Sequence, residues 1–415
     1  MTRLQIFDNR TVQVDLPSLL NPIRINDMAI DFSKTAEHVG ILRSTEGNGP
    51  TILARITSHK KALAAILHVG MSQNHRGNPS SSVRLLNLYC TPVLLSGLAP
   101  LILTKSEVDL IERHYKDTLL RLLRLPKKTP RSVVYFLAGS LPGIALLHLR
   151  QLTLYGMITR DNGSVLHQHA ENIFLSKTIS RSSWFDQVRD LCLLYALPHP
   201  IDLLQSPPTK VSFKRLVKKK IISYWEGVLR AEASSLSSLI FFHPEYMSLV
   251  RPHHLWLTAG PSPAKICMAS VQATLLSGRY QTEALARHWS QNKNGVCLIS
   301  PECSNLSLIE DIPHILQVCP ALRGVREKLM YYTLQMMTKF DDNLRKKIHP
   351  LCSPSHSDFC QFLVDCSTLP LVISLVDIYG SQLLSAMFEI TRTWVFSLHR
   401  ERLRRLDRWR SSSQL

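Results

Sequence analysis

The sequence predicts a mainly α-helical protein with a small β portion at its N-terminus. Over most of the chain apolar residues recur at three- and four-residue steps, which at ~100° per residue lays them along one helical stripe. Strand-like alternation is confined to residues 1 to 45, in short runs such as Leu4-Gln5-Ile6-Phe7 and Ile23-Arg24-Ile25, separated by the turn residues Asn21-Pro22 and Asn26-Asp27. The 415 residues are 45% hydrophobic, enough to fill real cores in two to four domains, which argues against wholesale disorder.

The elements follow in chain order. Ala36 to Leu42 reads as a strand running into a tight bend at Gly40. Ile52 to Gly70 reads as an amphipathic helix with Ile56, Leu63, Ile66 and Leu67 inward, followed by a polar loop through Asn78-Pro79-Ser80. Thr104 and Glu107 form a T-x-x-E capping box and Pro126 is a stop, so a helix of about 20 residues is expected between them. Val108, Ile111, Tyr115, Leu119 and Leu122 make its core stripe, and Arg121, Arg124 and Lys128 fall roughly opposite, toward solvent or a partner. After the apolar run Val133 to Ala138, Gly139 is a stop, and Ser140 with Pro142 opens a helix through Ile144, Leu147, Leu152 and Tyr155.

Pro198, Pro200, Pro207 and Pro208 break the following stretch into a helical connector. Val211 to Leu229 then mixes Lys214, Arg215, Lys218, Lys219 and Lys220 with Phe213, Tyr224 and Trp225. The rings are either the core face of a helix or groups that stack on bases while the cations neutralise phosphate. The final helix carries a stripe through Leu384, Met387, Phe388, Thr391, Val395 and Leu398. After His399 that stripe is expected to fail, because Arg400, Arg402, Arg404, Arg405 and Arg408 surround the helix and none can be buried without a partner. The expectation is a wet or anion-bound tail that the core does not need.

Net charge narrows the function classes. The chain carries +18 with a pI near 9.7. The segments Lys116 to Arg131, Lys210 to Arg230 and Arg392 to Arg410 supply +5, +6 and +5 of it. One such run is by itself a solvated face; three in an otherwise near-neutral chain point to a polyanionic partner, nucleic acid or an anionic membrane surface. Met1 to Arg10 is polar and reads as no signal peptide, and Leu369 to Met387 is interrupted by Asp377 and Gly380, so no membrane span is expected. An intracellular location, nucleus or cytoplasm, is expected. The nine cysteines are odd in number and scattered, which suits reduced thiols or metal ligands better than a disulfide framework.

Cys297, Cys303, His314 and Cys319 form a C-x5-C-x10-H-x4-C arrangement. Zn2+ takes about four thiolate or imidazole ligands in a tetrahedron, which two short loops folded back on one another can supply. The first spacing is wider than the two to four residues usual in zinc knuckles, so the four are either zinc ligands or reduced structural residues. Cys352, His356, Cys360 and Cys366 lie on or before an apolar helix without loop glycines and read as core.

Several stretches resemble the reverse transcriptases of LINE-type (non-LTR) retrotransposons. Ala36 to Leu42 resembles the hairpin that follows the catalytic palm of that family. Met1-Thr2-Arg3-Leu4 is similar to its Lys-Thr-Lys-Leu strand, with the initiator methionine in place of the first lysine, the residue that in the family lies near the incoming nucleotide. Leu88-Tyr89-Cys90-Thr91-Pro92-Val93-Leu94-Leu95-Ser96-Gly97 and Leu137-Ala138-Gly139-Ser140-Leu141-Pro142 resemble its helical thumb. Gly278-Arg279-Tyr280 and His314-Ile315-Leu316-Gln317-Val318-Cys319-Pro320 resemble its C-terminal CCHC element. The resemblance implies palm-end strands over 1–45, a thumb over 46–165, a connector with a basic segment over 166–290, a CCHC zinc element over 291–322, and a helical C-terminal region with an Arg-rich tail over 323–415. It implies RNA or DNA as partner, and a catalytic half encoded upstream.

A polymerase holds two metal ions with paired carboxylates, carried in this family on a hydrophobic hairpin. The one Asp-Asp pair, Asp341-Asp342, sits in a helical pattern behind the cysteine cluster, and no phosphate loop or nucleophile elbow occurs. Sequence reasoning therefore expects a nucleic-acid-binding chain that is not catalytic alone. The competing expectation is a helical scaffold whose basic faces meet acidic proteins or a membrane surface.

Overall fold

The computed structural model describes residues 24–25, 28–29, 34–38, 40–67, 77–175, 183–290, 294–337 and 341–412. The strand expected at Met1 to Leu4 lies outside them. The β portion is two antiparallel pairs, Arg24–Ile25 with Met28–Ala29 and Thr35–His38 with Ile41–Ser44. Gly40 takes φ 72° between the second pair, the left-handed conformation that glycine adopts without steric penalty. The rest is helical, so the mainly α class with a small N-terminal β portion is what the chain forms.

Two compact units divide the chain, and both are discontinuous: Met1–Val69, Arg84–Lys116 and Leu141–Trp225 form the first, and Gly70–Val83, Asp117–Ser140 and Glu226–Leu415 the second. The five contiguous segments read from the sequence do not coincide with them.

In the first unit the capping box is formed as expected. Glu107 Oε2 accepts from Thr104 N at 2.8 Å, and Thr104 Oγ1 accepts from Glu107 N at 3.4 Å, opening the helix Lys105–Leu123. Within this unit that helix buries Ile111 and Tyr115, and Glu112 caps the helix Gly143–Ile158 by accepting from Ile144 N at 3.0 Å. The helix Gly49–Ile66 differs from expectation. Leu63, Ile66 and Leu67 are only half-buried, and His59 takes the inward place, fully buried with Nδ1 2.9 Å from His114 Nε2. Burial, and then the neighbouring His114, lower the His59 pKa to about 4. Trp225 is core: it is buried, and its Nε1 donates to Tyr195 Oη at 3.1 Å. The choice between core and base stacking is thereby decided for this ring, because its polar edge already has a partner and its faces are packed.

The second unit is built around the long helix Ser381–Ser412, which packs on Pro263–Leu276, Arg323–Met337, Phe359–Asp365 and Pro370–Tyr379. Leu384, Met387, Phe388, Thr391, Val395 and Leu398 are buried as expected. Polar links cross this core. Gln272 Nε2 donates to Leu363 O at 2.7 Å and to Thr391 Oγ1 at 3.1 Å, and Trp394 Nε1 donates to Thr333 Oγ1 at 2.7 Å. The run Val133 to Ala138 lies in the helix Arg131–Ala138, all of it buried. Arg131 pairs with Glu232 at 2.8 Å, and Glu232 also accepts from Ser132 N at 3.1 Å. Asp341 is an N-cap, accepting from Leu344 N at 2.8 Å, and Asp342 pairs with Arg345, so this dipeptide starts a helix.

Gly139 ends its helix at φ 60°, ψ 44°, and a Cβ there would sit 2.1 Å from the backbone carbon of Arg251. Gly139→Ala combines left-handed strain with a collision against backbone that cannot rotate away. It should destabilise the protein by about 1–3 kcal/mol or more in urea unfolding. An unchanged unfolding midpoint would contradict this close approach.

Candidate metal centre

Cys297, Cys303, His314 and Cys319 are all buried, and one ligand atom from each lies within 4.8 Å of the others. They can hold a metal ion. The five-residue first spacing is accommodated by a small hairpin. Gly295 turns the chain at φ 81°, Val296 pairs with Ile309, and Cys297 N donates to Leu308 O at 2.9 Å. Between them the helix Pro301–Asn305 brings Cys303 back under the hairpin, where its carbonyl accepts from Leu308 N at 2.9 Å. His314 and Cys319 come from a single wide turn, His314–Val318, closed by Cys319 N donating to His314 O at 2.8 Å and capped by Asp311 Oδ1 on His314 N at 2.8 Å. Such five-residue turns recur at functional sites.

Sulfur and nitrogen crowd together here, with backbone at Ile299 and Ala321 and the Ser300 hydroxyl also hydrogen-bonding the sulfurs. Cys297 Sγ and Cys319 Sγ are 3.9 Å apart. Their hydrogen bond, with burial adding to it, raises the Cys297 pKa, while accepting that bond lowers the Cys319 pKa. Burial raises the Cys303 pKa. His314 Nε2 is buried with no hydrogen-bond partner, and a buried polar atom left in that state calls for a ligand. Beside the cluster, Arg326 is buried and its Nη2 donates to Cys319 O at 2.7 Å, placing positive charge next to Cys319.

Cys352, His356, Cys360 and Cys366 behave as core and turn residues. Cys360 donates to Gln317 Oε1 at 3.5 Å, His356 Nδ1 accepts from Asp358 N at 3.1 Å, and burial raises Cys352 and Cys360 to about 12. They form no ligand group among the described residues.

The basic residues separate. Lys214, Arg215, Lys218 and Lys219 are exposed on the helix Lys210–Ser234 in the first unit, with Lys220 half-buried. Arg121, Arg124, Lys128 and the tail belong to the second unit, together with the Cys297, Cys303, His314 and Cys319 group. Arg121 and Lys128 are exposed, and Arg124 is half-buried at φ 56°. In the tail Arg400 and Arg408 are exposed, and Arg404 and Arg405 hydrogen-bond Glu401 at 2.7 and 2.8 Å.

Arg402 corrects the expected end of the stripe. It is buried, as is Leu406 one turn on, and its Nε and Nη2 donate to Glu310 Oε1 and Oε2 at 3.0 and 2.9 Å. Its charge is spent inside the protein, so it is not a phosphate contact. Glu310, fully buried, accepts from Glu283 N at 3.0 Å through Oε2, and its backbone links Gly295 O and Ala284 N. Sequence reasoning missed Glu310 and Arg326. Neither has a local signal, since each is defined by a partner distant in the chain or by the folded loop.

No known protein family, no characterised protein sequence and no solved structure matches the chain.

Removing one member of a buried ion pair leaves the other charge uncompensated, which costs about 3–5 kcal/mol. Arg402→Met should lower urea stability by that amount, and Arg402→Met with Glu310→Leu should recover most of it. Truncation after His399 should destabilise the second unit as the single variant does. Full stability in the truncated chain would mean that the pair holds nothing in place.

Proposed function

We propose that this chain is a nucleic-acid-binding protein of the LINE-type reverse transcriptase kind, corresponding to the palm-end, thumb and C-terminal region, whose second unit is braced by zinc. The observation that carries the reading is the convergence of the four ligand residues inside a Gly-Arg-Tyr…His-Ile-Leu-x-x-Cys-Pro frame. Three thiols and an imidazole form a donor set suited to zinc. A tetrahedral ion with Zn–S bonds of ~2.3 Å requires sulfurs ~3.8 Å apart, and the 3.9 Å between Cys297 and Cys319 suits that. His314 Nε2, otherwise unsatisfied, supplies the nitrogen. Four protein ligands leave no open position, so the ion's role is to hold the loop in shape.

The binding chemistry rests on exposed cations. Arg121, Lys128, Arg400 and Arg408 in the second unit, and Lys214, Arg215, Lys218 and Lys219 in the first, present charge that neutralises phosphates without reading bases. RNA or DNA is the partner, with catalysis supplied by a polymerase half, and the setting is the nucleus or cytoplasm. Primer extension on a primed RNA template with Mg2+ or Mn2+ should not exceed a control without protein.

Two measurements test the reading. Metal analysis after refolding in excess zinc should give one ion per chain. Affinity should fall as pH drops below ~6, because protons compete with the ion for the thiolates and imidazole, and Cys319→Ser should weaken it strongly. A metal-free chain would remove the zinc. Binding to duplex DNA should weaken steeply with salt and nearly equally for different sequences, with a log–log slope of ~0.9 per phosphate contacted. Salt-insensitive binding to a single protein partner would instead make the chain a scaffold.

A further inference from the structure

A groove of about 580 Å³ opens within the second unit between the turn at Pro126 to Lys128, the stretch Arg279 to Ser290 and the helix Ser381–Ser412. It combines an exposed aromatic ring with unpaired positive charge. Lys128 Nζ sits 3.5 Å from the centre of the Trp289 ring and covers one of its faces. Trp289 is nevertheless 57% exposed and lines the groove, so much of the ring remains accessible from it. Arg279 lines the same groove with its Nε buried and lacking any partner. Lys127 and Arg410 add charge, the latter only loosely paired with Asp407 at 3.7 Å. Glu283 is the one carboxylate in the lining, and the Arg402 charge at the floor is cancelled by Glu310.

A ligand that fits must bring a flat π surface and at least one anionic group a few ångströms away. We infer that this groove takes one unpaired nucleotide of a single-stranded RNA or DNA, its base stacked on the exposed ring of Trp289 and its phosphate held by Arg279 and Lys127. The inference rests on the nucleic-acid-binding reading above and sharpens it. Base–aromatic stacking tolerates any sequence, since every base has a π face. A cation behind the ring strengthens the stack from the far side. Duplex bases are already stacked on each other and cannot reach the ring, so the groove discriminates by strandedness.

The test is fluorescence anisotropy of the zinc-loaded full chain with a labelled short oligothymidylate and with a short DNA duplex. Trp289→Ala should weaken oligothymidylate binding by about tenfold, while duplex binding stays within about twofold of the unaltered chain. Trp289→Phe, which keeps a ring at an exposed position, should retain most of the affinity. Arg279→Gln should lower the single-strand salt slope by about 0.7, the loss of one phosphate contact. Oligothymidylate binding unchanged in Trp289→Ala, or an equal loss on both ligands, would overturn the groove while leaving general phosphate binding intact. Failure of the unaltered chain to bind either ligand would overturn both.

Discussion

The buried ion pair between Glu310 and Arg402 is the constraint on which the second unit depends. Each ion is expensive to remove from water, and only a close, hydrogen-bonded partner of opposite sign offsets that cost. Here the bidentate geometry and a further bond from Glu283 N use both carboxylate oxygens. Glu310 lies in the hairpin that carries Cys297 and Cys303, and its backbone bonds reach Gly295 and Ala284. One residue therefore joins the cysteine-bearing loop, the start of the helix Glu283–Arg287 and the later turns of the helix Ser381–Ser412. The four residues able to hold a metal ion and the ion pair thus converge on the same short stretch, one group presenting sulfur and nitrogen, the other a carboxylate.

How much of this was legible in sequence depends on the range of the interaction. The capping box at Thr104 and Glu107, the Gly139 stop and the stripe from Leu384 to Leu398 are local patterns, and the chain forms them as read. The grouping of Cys297, Cys303, His314 and Cys319 was also legible, since three thiols and an imidazole gather in one short stretch even at an unusual spacing. The end of the stripe was misplaced because an arginine in an apolar row looks like a boundary. Leu398, Arg402 and Leu406 keep the four-residue step, and only a carboxylate 92 residues away makes the middle one burial-competent. His59 was passed over and Trp225 left open for the same reason, as their partners His114 and Tyr195 are distant.

Charge also sorts differently in three dimensions than along the chain. The sequence shows three basic runs of similar weight. In the folded protein some of that charge is consumed internally, by Glu310, Glu401 and Glu232, and some is displayed. Net charge counts both kinds alike, although only the displayed kind attracts a polyanion at a distance and responds to salt.

The scattered make-up of the second unit bears on how the chain is made. Asn78 Nδ2 bonds the carbonyls of Trp256 and Gly260, 178 and 182 residues further on, and Arg131 finds Glu232 only 101 residues later. At ~5–20 residues per second of synthesis, the apolar run Val133 to Ala138 waits at least about 5–20 s for the surfaces that bury it. Throughout that interval six consecutive core residues are exposed on an emerging chain. An apolar run left uncovered for that long is open to association with other chains before its own fold closes over it.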